Sequence, residues 1–204
     1  MTRVTLMSIA AAILWVNTVN AQDPPVTENS EAFLEAVAAF EKKEFQTAVE
    51  LFTTLGEKGE PTSQHNLSIL YFKGFGSPAN YRRALYWAWR ATLGGNEPAL
   101  TMVDEIRGIV TEDLIGIVSE EIVTELTAKA MGGDKDAAER LGKTYYNLFV
   151  EPDLKMAYVW FLISQAFGND QVSEFISEIE RQIEIEDRIA YQEEATEIFI
   201  EMPK

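Results

Sequence analysis

The chain has 204 residues, with 17 Lys and Arg against 33 Asp and Glu, a formal charge of −16 at pH 7. Phosphate recognition depends on concentrated Lys and Arg, so this balance argues against a nucleic-acid binder; 47% hydrophobic and 11% aromatic residues are too many for a disordered acidic tail. The absence of cysteine removes disulfide frameworks, thiolate catalysis and Cys-ligated metal centres.

Arg3 is the only charge before Asp23, and Leu6 to Val16 is an almost unbroken apolar run, too short for a membrane span of about 20 residues. Val19-Asn20-Ala21 follows with a small last residue, which suits signal-peptidase cleavage after Ala21. Residues 1–21 are therefore expected to be a signal peptide and residues 22–29 a polar leader. The mature protein is expected in a bacterial periplasm, or secreted, without a stable membrane anchor.

The rest of the chain repeats itself. Gly59-Glu60, Gly95-Asn96, Gly133-Asp134 and Gly168-Asn169 each close an apolar, helix-like stretch at intervals close to 36 residues. Ala48, Ala84 and Ala157 keep the same register, as do Leu51, Trp87 and Trp160. A period of that length accommodates two short antiparallel helices and two turns, and such pairs stack into a solenoid. In the first unit Phe33, Ala36, Val37 and Phe40 form one helical stripe, and Phe45, Ala48, Val49 and Phe52 form its partner. In the second unit Leu67, Leu70 and Tyr71 mark the first helix, and the glycines and Pro78 of Lys73-Gly74-Phe75-Gly76-Ser77-Pro78 stop it. Ala84, Leu85, Ala88 and Ala91 mark the second helix, which ends at Gly94-Gly95. Residues 98–135 and 171–202 each read as helix, short acidic break, helix. The expectation is an all-α fold, an α/α superhelix of about five antiparallel helix pairs, with units near 30–60, 61–97, 98–135, 136–170 and 171–202.

These residues carry a resemblance. Ser63 to Gly76, then Tyr81, Ala84, Leu85, Trp87, Ala91 and Gly94 to Ala99, resemble a Sel-1-like repeat, a variant of the tetratricopeptide repeat. A second copy runs from Ala137-Ala138 through Leu141-Gly142, Tyr145, Ala157, Trp160 and Ala166 to Gly168-Asn169. It departs from the pattern at Asn147 to Asp153, where no glycine-rich loop joins the helices. The resemblance implies a concave face built from the first helix of each unit that takes a segment of a partner protein. Carried over by position, that face comprises Thr62, His65, Ile69, Phe72 and Lys73, then Asp136, Glu139, Lys143, Tyr146 and Asn147. Ile69 and Phe72 have two readings, as groove anchors or as packing against the neighbouring unit.

His65 is the only histidine. Alone it makes neither a zinc site nor a nucleophile pair, so it is read as a surface or groove residue. Trp87 and Trp160 stand at packing positions, whereas Trp89 lies outside the repeat pattern and is expected to be the more exposed contact. Glu184, Glu186, Asp187, Glu193, Glu194, Glu197 and Glu201 alternate with Ile179, Ile183, Ile189, Ala195, Ile198 and Phe199, a solvated face opposite a buried one that would also cap the solenoid's end. Glu112-Asp113 and Glu120-Glu121 form a similar acidic set.

No Walker loop, G-x-S-x-G elbow, H-E-x-x-H or S-x-x-K motif is present. The sequence therefore reads as a non-enzymatic adaptor or scaffold for a protein or peptide partner, monomeric or weakly oligomeric, with no cofactor, metal or nucleic acid. The alternatives are an envelope enzyme or enzyme inhibitor related to β-lactams or peptidoglycan, or a structural subunit of an assembly.

Overall fold

A computed structural model describes residues 28–203, so the proposed signal peptide and most of the leader lie outside the described residues. The helices are α1 Glu28–Glu41, α2 Phe45–Glu57, α3 Pro61–Lys73, α4 Tyr81–Leu93, α5 Glu97–Arg107, α6 Glu112–Met131, α7 Lys135–Asn147, α8 Leu154–Ala166, α9 Ser173–Glu180 and α10 Ile185–Glu201, with a 3-10 turn at Asp170–Val172 before α9. No strand occurs among the described residues. α1 already begins at Glu28, inside the span read as leader.

One turn, used four times, sets the register. Gly59, Gly95, Gly133 and Gly168 all take positive φ, between 87° and 96°, a conformation that glycine adopts without Cβ strain. The next residue's N–H then returns to a carbonyl five positions back: Glu60 to Leu55 (3.1 Å), Asn96 to Ala91 (2.9 Å), Asp134 to Lys129 (3.0 Å) and Asn169 to Ser164 (3.2 Å). The same four residues cap the following helix with their side chains, accepting from Thr62 and Ser63, Ala99, Asp136 and Gln171 N–H groups respectively. Each turn thus pairs the last carbonyls of one helix and the first amides of the next, which explains why Gly followed by Glu, Asn or Asp recurs.

The turns inside the units use different means to the same end. In the second, Gly74 and Gly76 have φ of 72° and 78°, and Asn80 donates its N–H to Tyr71 O (2.9 Å) before capping α4 at Arg83 N–H. In the fourth, Asp153 donates to Tyr145 O (3.0 Å) and caps α8 at Met156 N–H, the corresponding bonds without glycine. Here Arg107, from the end of α5, donates to Asn147 O (2.6 Å) and Phe149 O (3.3 Å), while Phe149 stacks on Tyr145 at 5.4 Å. A side chain from the preceding unit therefore holds the loop.

Packing follows the repeat. α1 pairs with α2, α3 with α4 and α7 with α8, while α2–α3, α4–α5 and α6–α7 contacts join the units. Ala48, Ala84 and Ala157 are fully buried, and Trp87 and Trp160 belong to the core as expected. Phe52, Leu67, Leu70 and Leu85 are also fully buried, each worth about 1.5–3 kcal/mol of burial. The remaining units are looser. α5 lies on α4, and α6 on α7 and α4, with few contacts between α5 and α6; α10 lies on α8 rather than on α9.

Two expectations need correction. Trp89 is only 2% exposed, because its face of α4 meets α7, where its indole N–H donates to Thr144 Oγ1 at 3.1 Å. The C-terminal helix is not a clean polar cap. Ala195 is buried and Phe199 meets Phe167 at 5.0 Å, yet Ile189, assigned to the buried series, is 51% exposed, in company with Ile185 and Ile200. α10 presents only part of its apolar surface to α8.

Candidate protein-interaction face

The first helices α3, α5 and α7 form the row from which such a face is built. α3 packs on α5, and Arg107 ties the end of α5 to the end of α7. α3 is buried on nearly every side: Ser63 to Tyr71 without a break have little access to solvent. His65 and Ile69 are therefore packed inside, at 8% and 5% exposure. The histidine is a buried residue rather than a surface one, and Ile69 follows the packing alternative. Burial lowers the His65 pKa from 6.5 by penalising the imidazolium, so the ring is neutral at pH 7.

The other candidates separate into structural and available groups. Glu139 forms an ion pair with Lys143 and accepts from Asn169 Nδ2 at 2.6 Å, which binds it to the turn that closes its own unit. Asn147 gives its backbone carbonyl to Arg107 and its amide Nδ2 to Lys143 O. Asp136 and Lys73 are exposed and Thr62 is half-buried. Phe72 is half-buried against Tyr81 at 5.5 Å, with the Lys73 ammonium 4.8 Å from its ring centre. Tyr146 is half-buried edge-on against Phe175 at 5.8 Å. Desolvation raises its phenol pKa, and Glu178 raises it further. Phe72 and Tyr146 thus retain accessible apolar surface beside polar side chains; the structure does not bring them into direct contact, since α3 and α7 share no extensive interface.

A polar network escaped the sequence reading. Glu125, on α6, accepts from the Tyr86 hydroxyl at 2.7 Å, Lys129 Nζ at 2.6 Å and Arg90 at 3.3 Å. Burial pushes the Glu125 carboxyl up, but the hydrogen bonds from Lys129 and Tyr86 and the Arg90 charge outweigh it and hold it below its ordinary value. Tyr86 is pushed up to about 12, first by burial and then by its bond to Glu125. These groups stand 35 to 39 positions apart on α4 and α6, a separation close to one repeat and the only sequence cue to their meeting. Among the described residues, no group of three or more His, Asp or Glu side chains is arranged to hold a metal ion.

The architecture is that of an all-α solenoid of stacked helix pairs. Residues 61–96 and 135–164 match the Sel1 repeat, and the all-helical paired architecture is consistent with a tetratricopeptide-like helical-repeat protein. Those matches cover α3 with α4 and α7 with most of α8. No curated protein and no solved structure matches the chain. Sel1 repeats generally mediate protein–protein interaction.

Proposed function

We propose that this protein is an exported, non-enzymatic adaptor that binds a segment of another envelope protein across the first helices of its repeats. The observation that carries this reading is the pair of Sel1 repeats in register, with half-buried aromatics at Phe72 on the first helix of one and at Tyr146 on the first helix of the other. Aromatic side chains that already rest on a neighbouring ring lose little entropy when a partner covers the remaining surface, which suits them as anchors. Lys73, exposed beside Phe72, adds a cation in a chain of strongly negative charge, so polar contacts there favour an orientation rather than supply most of the affinity. The apolar run Leu6 to Val16 followed by Ala21 supports export, and the proposed site of action is the bacterial periplasm.

Site-specific photo-crosslinking in the native host tests this. A photoreactive residue replacing Phe72 or Tyr146 is expected to trap one reproducible protein partner, whereas the same residue at Glu186 or Glu197, on the outside of α10, traps none. Equal crosslinking from both sets, or none from either, rejects the assignment of the face.

A further inference from the structure

A second site lies apart from the aromatic face. The end of α2, with α3, α4, α6 and α7, borders a half-open cavity of about 220 Å³ to which α5 contributes nothing. This is small beside typical drug-sized pockets and suits a ligand of a few heavy atoms. Its lining is charged, and the charges fall into two groups. Arg90, Lys129 and Glu125 also line it but satisfy one another. Arg140 and Lys58 line it too, and among the described residues neither makes an ion pair or a side-chain hydrogen bond. Lys58 is exposed at the rim and Arg140 is half-buried; the lining also includes Glu57, likewise exposed, and Asp134, whose Oδ1 accepts from Asp136 N–H at 3.0 Å. Gln64 completes the wall at 3% exposure. Its Nε2 donates to Gly56 O at 2.8 Å, which fixes the side chain in that wall.

An unpaired guanidinium in a partly closed space is a ready receptor for a carboxylate, with two parallel N–H donors. An anion alone does not account for the carboxylates of Glu57 and Asp134 on the same lining, whose negative charge favours a cation beside them. We infer that the cavity binds a small zwitterion, a free α-amino acid, with its carboxylate at Arg140 and Lys58 and its ammonium directed to the carboxylates of Glu57 and Asp134. This assignment is independent of the partner face. Because the cavity draws on elements from the first four units, a bound amino acid would also tie those units together and stabilise the stack.

The test is isothermal titration calorimetry of the mature chain with L-alanine, L-serine and L-glutamine, each compared with propionate, which lacks the ammonium, and propylamine, which lacks the carboxylate. Saturable binding of at least one amino acid is expected, without comparable binding of either fragment. Arg140→Gln should weaken it about tenfold or more through loss of charge-assisted hydrogen bonds; Lys58→Gln should weaken it less. Arg82→Gln, which breaks an exposed pair with Glu121 outside the cavity, should leave affinity unchanged. Because the Arg140 side chain makes no hydrogen bond or ion pair among the described residues, its variant should keep wild-type circular dichroism. Three results overturn the inference: no saturable heat with any of the amino acids, propionate binding as tightly as they do, or Arg140→Gln binding like wild type.

Discussion

Gly142→Ala sets two physical effects against each other. Gly142 lies in α7, where alanine favours the helix over glycine by about 1 kcal/mol. Against this, a Cβ at Gly142 would stand 2.5 Å from Phe161 Cδ1 and 2.6 Å from Cε1, inside van der Waals contact. The ring has nowhere to retreat: it is fully buried and stacks on Phe175 at 4.9 Å. Overpacking of this kind costs about 1–3 kcal/mol, so the variant is expected to lose about 1 kcal/mol net, with an upper bound of about 2 kcal/mol. In a domain of this size that lowers Tm by about 2–4 °C per kcal/mol. Urea unfolding followed by far-UV circular dichroism measures the loss. A cycle with Phe161→Leu separates the contributions: if the clash is the cause, Gly142→Ala becomes less costly or stabilising in the Phe161→Leu background. A Gly142→Ala protein more stable than wild type, or one whose cost is unchanged in the Phe161→Leu background, refutes the close approach of α7 and α8. Ser68, at the corresponding position of α3, is fully buried with its hydroxyl unpartnered, so Ser68→Ala is expected to be neutral or stabilising in the same assay.

Further outcomes follow from single residues. Lys43 holds φ at 64° between α1 and α2; Lys43→Gly removes the side-chain cost of that region and should stabilise by up to about 1 kcal/mol, read by urea midpoint. Gly76→Ala places a Cβ 2.4 Å from Phe45 O at φ of 78°, so it should destabilise by about 2 kcal/mol or more in thermal unfolding, since both strain and a backbone clash oppose it. His65 is held neutral by burial, with its folded pKa below 6.5. Its contribution is therefore full above the unfolded value and is lost as pH falls through the folded one. Urea unfolding at pH 7 and at about pH 5 should show a smaller acid-side loss for His65→Gln than for wild type; an identical loss contradicts the burial of the ring.

The repeats were legible because their signals are local. A glycine with positive φ and a capping residue beside it do their work within a few positions, so four evenly spaced copies reveal both the helix ends and the period. Ala48, Ala84 and Trp87 were legible for a related reason, since a packing position recurs wherever the same interface recurs. Residues whose environment is made by a distant unit were not. Nothing beside Trp89 announces Thr144, fifty-five positions away, and nothing near Asn147 announces that Arg107 replaces a glycine loop. His65 lies off the apolar stripe of α3 and so reads as accessible, and Ile69 there leaves two readings open, but neighbouring helices bury α3 nearly all round. The C-terminal helix misled in the opposite way: its apolar series has helical spacing, yet only the part that meets α8 is covered, leaving Ile189 outside.

The central claim is that a partner is held by the aromatics on the first helices of the two Sel1 repeats. The most direct measurement is the affinity of the crosslinked partner's segment for the wild-type chain and for the Phe72→Ala/Tyr146→Ala variant, by calorimetry, with circular dichroism confirming equal helicity. Loss of two anchors of this kind should weaken binding at least about a hundredfold, about 1.4 kcal/mol or more for each. Unchanged affinity in a variant of unchanged helicity would contradict the account.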